Sequence, residues 1–219
     1  MFLKYTIQYF IFSIFFFSFS LQNLSDTISK TKTAQTTSQI ILVVQNQLYF
    51  FEKVSNNNWE EILSTDCNIG LNGMILDEDH REGQSTTPIG AYPLLYSFGT
   101  KKMSDLQIQF RQITPYSYCV DDVNDKRYNS WTESKEPVKG EHLIEYPIEY
   151  QLAAFIGFNV KDKVKGKGSC IFLHIKSIEK NYTHGCVAIS KQMMSNVLNL
   201  LKNNAYIIMV ENEEQILNY

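Results

Sequence analysis

From residue 39 onward the chain is a succession of short apolar runs cut by polar turn residues, a pattern that confines it to a mainly β fold. Ile40-Ile41-Leu42-Val43-Val44 and Leu48-Tyr49-Phe50-Phe51, on either side of Gln45-Asn46-Gln47, predict a hairpin. A strand from Trp59 to Leu63 follows the turn cluster Ser55-Asn56-Asn57-Asn58. Further strands are expected at Ala91–Leu95, Leu106–Ile113, Leu152–Phe158, Cys170–Ile175 and Ala205–Val210, and many short strands at near-regular spacing imply a sandwich or barrel. One helix is expected after the N-cap Ser190, where Met194, Val197, Leu198 and Leu201 repeat with helical spacing. A weaker element between Ser134 and Leu143 is interrupted by Pro137. Neither an internal repeat nor a Pro/Gly-rich linker divides residues 39–211, so they are read as one domain, with 212–219 as a C-terminal tail.

Seven of the 14 phenylalanines lie in the first 20 residues, behind the single cation Lys4, and Ser18-Phe19-Ser20 has the small-x-small spacing of a cleavage site. Residues 1–20 are therefore expected to be a signal peptide; the alternative is an uncleaved membrane anchor, for which the apolar run is short. Residues 21–38, rich in Ser, Thr, Gln and Lys, read as a linker. Export into the periplasm, the cell envelope or the medium would place the four cysteines (67, 119, 170, 186) where disulfides form, although their spacing matches no compact disulfide framework. The formal charge is -3, and no basic block exceeds Lys101-Lys102, so a nucleic-acid partner is not expected. Membrane association is expected only if the N-terminal signal is retained.

The chemistry-bearing residues concentrate between 168 and 190. In Gly168-Ser169-Cys170-Ile171-Phe172-Leu173-His174-Ile175, strand periodicity puts Cys170, Phe172 and His174 on one face. Thr183-His184-Gly185-Cys186-Val187-Ala188-Ile189 follows, directly before the capped helix. A free thiol is only slightly ionised at neutral pH, so a cysteine nucleophile needs an imidazole within reach, and His174 or His184 can supply one. Gly185 allows a turn tight enough for main-chain N–H groups to face an oxyanion. The imidazole is best held by an acceptor on its other nitrogen, which a backbone carbonyl can provide. Two plainer readings compete: a buried structural cysteine among core histidines, and a Cys2His2 zinc site from Cys170, His174, His184 and Cys186, whose spacing fits no common zinc pattern.

These segments, with Arg81-Glu82-Gly83, Thr87-Pro88-Ile89-Gly90, Tyr128-Asn129, Glu141-His142-Leu143 and Ile156-Gly157-Phe158-Asn159 upstream in order, resemble the L,D-transpeptidase (YkuD-like) family, in its short-loop subgroup. The resemblance spans about residues 40–210 and implies a β-sandwich-like fold with one C-terminal helix after the catalytic cysteine. It implies an exported cysteine acyltransferase that attacks peptidoglycan stem tetrapeptides, releases D-Ala and passes the acyl group to an amine acceptor. Carried onto this chain, it makes Cys186 the nucleophile, His174 the base, Gly185 and Cys186 the oxyanion backbone, and His184 a supporting residue, with no metal or organic cofactor. Hydrolysis of the same thioester would make the protein an L,D-carboxypeptidase or endopeptidase, and loss of chemistry would leave a cell-wall-binding module. The family often carries Asn or Arg two residues after the cysteine, where this chain has Ala188.

Arg81, Tyr128, Asn129 and Thr183 are the candidate substrate contacts. Arg81 has an equal alternative as a solvated charge among Asp77, Glu78 and Asp79. Cys170 is a second thiol that could close a disulfide with Cys186 and switch the enzyme off. His80 reads as a surface residue. Asp121-Asp122 with Asp125 lacks the glycine and terminal glutamate of a calcium loop. The sequon Asn181-Tyr182-Thr183 lies five residues before Cys186, and a glycan there would obstruct the cleft, which fits a host that leaves it bare.

Overall fold

The structure is a computed structural model that describes residues 24–55 and 58–219. The expected signal peptide, residues 1–20, lies outside the described residues. The strands are β1 (Gln39–Val44), β2 (Gln47–Ser55), β3 (Asn58–Asp66), β4 (Met74–Leu76), β5 (Thr87–Gly99), β6 (Phe110–Gln112), β7 (Ser117–Val120), β8 (Ser130–Glu133), β9 (Glu141–His142), β10 (Ala153–Ile156), β11 (Phe172–Ile175), β12 (Val187–Ile189) and β13 (Tyr206–Val210). They form a curled ten-stranded sheet whose main path runs β12-β11-β10-β5-β13-β1-β2-β3, plus a small β8-β7-β9 sheet.

The curl originates in β5. Gly90–Pro93 pair with β13, whereas Leu94, Ser97 and Phe98 pair with β10, so one strand of 13 residues serves both halves of the sheet. At the middle of the path, β1 lies between parallel β13 and antiparallel β2. Its five consecutive apolar residues are explained by burial on both faces: Ile41 and Val43 enter one core cluster, Ile40 and Leu42 another. β13 divides in the same way, with Ile207 and Met209 on the first side and Ile208 and Val210 on the second. The expected helix spans Lys191–Leu200, capped by Ser190, whose Oγ accepts the Met193 N–H at 3.3 Å. Its Met194, Val197 and Leu198 close the first cluster over the sheet.

Four expectations are corrected. The described part of the expected linker, residues 24–38, is no free tether: residues 24–29 are helical, and Leu24, Ile28 and Ala34 pack into the second cluster, burying apolar surface that its polar composition masked. The 212–219 tail joins them, because the 3-10 turn Glu213–Asn218 buries Ile216 in that cluster and the Thr33 N–H donates to the Tyr219 carbonyl at 2.8 Å. Only Phe110–Gln112 of the Leu106–Ile113 alternation is a strand, since β5 offers it an edge only at Ser97–Gly99. The Ser134–Leu143 stretch forms no regular α-helix: it carries the short β9, paired with β7, and its last residue opens the 3-10 turn Leu143–Glu145. Among the described residues, no helix is long and apolar enough to cross a membrane.

Candidate active site

Two short parallel strands place the reactive residues. Leu173 pairs with Val187 and His174 with Ala188, so Cys186, one residue before β12, lies beside Phe172 and two residues short of His174. Ile171, Leu173, Ile175, Val187 and Ile189 enter the core beneath the helix, while Cys170, Phe172 and Cys186 share the opposite aromatic cluster. Period-two alternation on both strands thus puts His174 and Cys186 on one face, offset by about 6.6 Å along the strands.

The His174 ring is buried, edge-on to Tyr150 with centroids 5.6 Å apart. Its Nδ1 lies 2.8 Å from the Ile175 carbonyl, which can only accept, so Nδ1 carries the proton and Nε2 is the basic nitrogen. Burial holds its pKa below the ordinary histidine value, favouring a neutral imidazole. The Cys186 sulfur accepts the Phe172 N–H at 3.3 Å and its thiol donates to the Cys170 carbonyl at 3.6 Å. Burial, then the Glu141 carboxylate, push this thiol far above its ordinary pKa.

The turn into Cys186 is built by Thr183. Its hydroxyl donates to the Cys186 carbonyl at 2.6 Å and accepts the Gly185 N–H at 3.1 Å, while Thr87 Oγ1 donates to the Gly185 carbonyl at 2.9 Å. Gly185 has φ +137°, and a Cβ there would come within 3.0 Å of the Thr86 carbonyl oxygen and Ile171 Cδ1, so this turn requires glycine. The loop before β11 is equally constrained: Asn129 Oδ1 accepts the Cys170 N–H at 2.9 Å, and Cys170 is joined to Cys119 by a disulfide.

Cys186 opens on a cavity of about 240 Å³ lined by Glu82, Ser85, Asp121, Glu141 and His184, among others. His184 is exposed there, with Nδ1 3.0 Å from Ser85 Oγ. Glu82 accepts from the Tyr128 hydroxyl and, at 2.8 Å, from Ser169 Oγ. The Tyr150 hydroxyl donates to Glu141 at 2.6 Å, and burial raises the Glu141 carboxyl to about 7.

The structure therefore places Cys186 and His184 on the cavity, Gly185 in the turn beside them and His174 on the same sheet face as Cys186, while the expected substrate contacts are engaged elsewhere in the protein or within that turn. Tyr128, Asn129 and Thr183 are buried and bonded within the protein, Asn129 Nδ2 reaching the Phe158 and Asn159 carbonyls. Arg81 is exposed, donates to the Glu78 and His80 carbonyls, and borders a different pocket with Glu78, Lys165 and Lys167. His80 is not at the surface: it is buried edge-on to Phe158, with its ring nitrogens 2.6 and 2.8 Å from the Lys167 and Thr86 carbonyls. The Cys170–Cys186 disulfide gives way to Cys119–Cys170, leaving Cys186 a free thiol and taking Cys170 out of the zinc alternative. Glu82 and Glu141 lie in segments that the resemblance had marked, without a role. Tyr150 and the Cys119 pairing had no local signal in the sequence.

The family model for the L,D-transpeptidase catalytic domain (YkuD) matches residues 38–209. Among solved structures, the helical cell shape determining protein Pgp2 from Campylobacter jejuni is similar with a TM-score of 0.48 and 16% identity, over 82% of this chain and 51% of that one. An Enterococcus faecium L,D-transpeptidase gives a TM-score of 0.39 and 10% identity over 79% of this chain and 50% of its own. Mycobacterium tuberculosis L,D-transpeptidase 1 gives 0.38 and 12%, over 79% of this chain and 62% of its own. The chain thus spans 50% to 62% of these three proteins. No curated protein sequence matches it.

Proposed function

Because this chain belongs to the YkuD family of L,D-transpeptidase catalytic domains, we propose that it is a cysteine acyltransferase acting on peptidoglycan stem peptides, with Cys186 as nucleophile and His174 as base. The observation that carries this reading is the single-face arrangement of a free Cys186 thiol and a His174 ring whose Nδ1–H is tied to the Ile175 carbonyl, with Cys186 opening on one cavity. The tautomer leaves Nε2 to take the thiol proton once the bond to the Cys170 carbonyl is released. The sulfur then bonds to the scissile carbonyl carbon, the amide C–N bond breaks, and the imidazolium protonates the departing D-Ala amine. An acceptor amine attacks the thioester carbonyl and gives a proton to His174, the C–S bond breaks, and the imidazolium returns the proton to the sulfur to restore the thiol. The Gly185 N–H is already engaged by Thr183, which moves the oxyanion contact to the Cys186 N–H, a donor typically worth about 3 to 4 kcal/mol. Water in place of the amine would give the L,D-carboxypeptidase or endopeptidase outcome.

The substrate contacts in this reading are cavity groups, His184, Ser85 and the acidic wall, and not Arg81. Export, through the expected signal peptide, is supported by the Cys119–Cys170 disulfide, since such bonds persist chiefly in oxidising compartments. The test is intact mass of the non-reduced protein after incubation with a stem tetrapeptide ending in D-Ala. A gain equal to the peptide minus D-Ala, lost in Cys186→Ala and His174→Ala, is the expected result. The absence of both adduct and released D-Ala, from folded protein, would overturn the reading in favour of a silent wall-binding module.

A further inference from the structure

Three features converge on one tyrosine. Tyr150, on the 3-10 turn Glu149–Gln151, sets its ring edge-on to His174 at 5.6 Å and 88° and to Phe172 at 5.4 Å and 87°. Its hydroxyl donates to Glu141 at 2.6 Å, and Glu141 lines the cavity on which Cys186 opens. One rigid ring therefore ties the candidate base to a carboxyl that faces the candidate nucleophile. The groups facing Glu141 are Tyr150, Tyr146, Asp121, Glu82 and Cys186, and its neighbour His142 turns away to Glu145 and the Pro115 carbonyl. Neither Lys nor Arg is among the residues lining the cavity.

We propose that Glu141 is a positioning residue for the Cys186–His174 pair, its carboxylate, held in place by Tyr150, keeping Cys186 a neutral thiol in the empty site. Burial is the larger force against a charge on the sulfur, and the Glu141 carboxylate, on the same partly desolvated cavity, adds a Coulombic opposition to a second negative charge there. The Tyr150 hydroxyl favours the charged form of Glu141, while burial and the Asp121 and Glu82 carboxylates oppose it, bringing the carboxyl to about 7. The restraint on Cys186 accordingly switches on as pH rises through neutrality. This inference rests on the proposed reading of Cys186 and His174 as the reactive pair, but its test needs no substrate.

The experiment is the pH dependence, from 6 to 10, of Cys186 alkylation by iodoacetamide in the non-reduced full chain, read on the Cys186 peptide by mass so that the other free cysteine, Cys67, does not contribute. In Glu141→Gln, alkylation at pH 8 and above is expected to be about tenfold faster than in wild type, with the gain shrinking toward pH 6, where the wild-type Glu141 is itself protonated. Tyr150→Phe keeps the ring against His174 and removes the donor to Glu141, so it should shift the profile the same way, by less, and add under about twofold in the Glu141→Gln background. Thermal melts establish that each variant is folded, and Tyr150→Phe carries the test if Glu141→Gln is not. A Glu141→Gln profile that superimposes on wild type, or rates raised equally at every pH, would overturn the proposal. So would an undiminished Tyr150→Phe effect in the double variant. A shifted profile from a protein that forms no acyl adduct with the tetrapeptide would leave this inference standing and remove the acyltransferase reading.

Discussion

Replacing Thr183 by valine tests whether this residue builds the Cys186 turn or touches substrate. Valine has nearly the same shape and lacks only the hydroxyl, which donates to the Cys186 carbonyl at 2.6 Å and accepts the Gly185 N–H at 3.1 Å. The Gly185 N–H is then stranded, and the Cys186 carbonyl retains only the 3.4 Å contact from Thr87 Oγ1. A stranded buried polar group costs about 1 to 3 kcal/mol, so the pair predicts a loss of about 3 kcal/mol. For a chain of this size each kcal/mol moves the melting temperature by about 2 to 4 °C, giving a fall of roughly 6 to 12 °C by calorimetry. Thr183→Ser keeps the hydroxyl and deletes one methyl, at about 1 kcal/mol, so it should melt well above the valine variant. Equal melting of the two variants would refute the hydrogen-bond argument. An unchanged melt combined with loss of the tetrapeptide adduct in Thr183→Val would restore Thr183 as a substrate contact.

Two further outcomes are expected. Reducing the Cys119–Cys170 disulfide, which closes a loop of 51 residues, should lower stability by up to about 4 kcal/mol on chain-entropy grounds, seen as a drop in melting temperature that Cys119→Ala reproduces. Ile28→Ala should cost about 2 to 5 kcal/mol in denaturant unfolding, because the side chain is fully buried, whereas the same change in a free linker would be nearly silent.

The part of this protein legible in sequence is what depends on local period and local motif. The apolar runs at 40–44 and 206–210 appear as the paired strands β1 and β13, the Ser190 cap starts its helix, and the His174-to-Cys186 segment lands on one face because both strands alternate with period two. Composition misled where burial depends on partners far along the chain: the polar 21–38 stretch and the 212–219 tail each present a few apolar side chains, Leu24, Ile28 and Ile216, that only the folded sheet can cover. The structural bonding of Thr183 and Asn129 was hidden for the same reason, since a polar side chain looks the same in sequence whether it meets a ligand or an orphaned backbone group. The choice of Cys119 over Cys186 as the partner of Cys170, and the convergence of Glu141 and Tyr150 on His174 and the cavity, were decided by tertiary structure alone. Each joins residues from different strands and turns, and their distances are set by how the sheet curls, a quantity to which no short stretch of sequence corresponds.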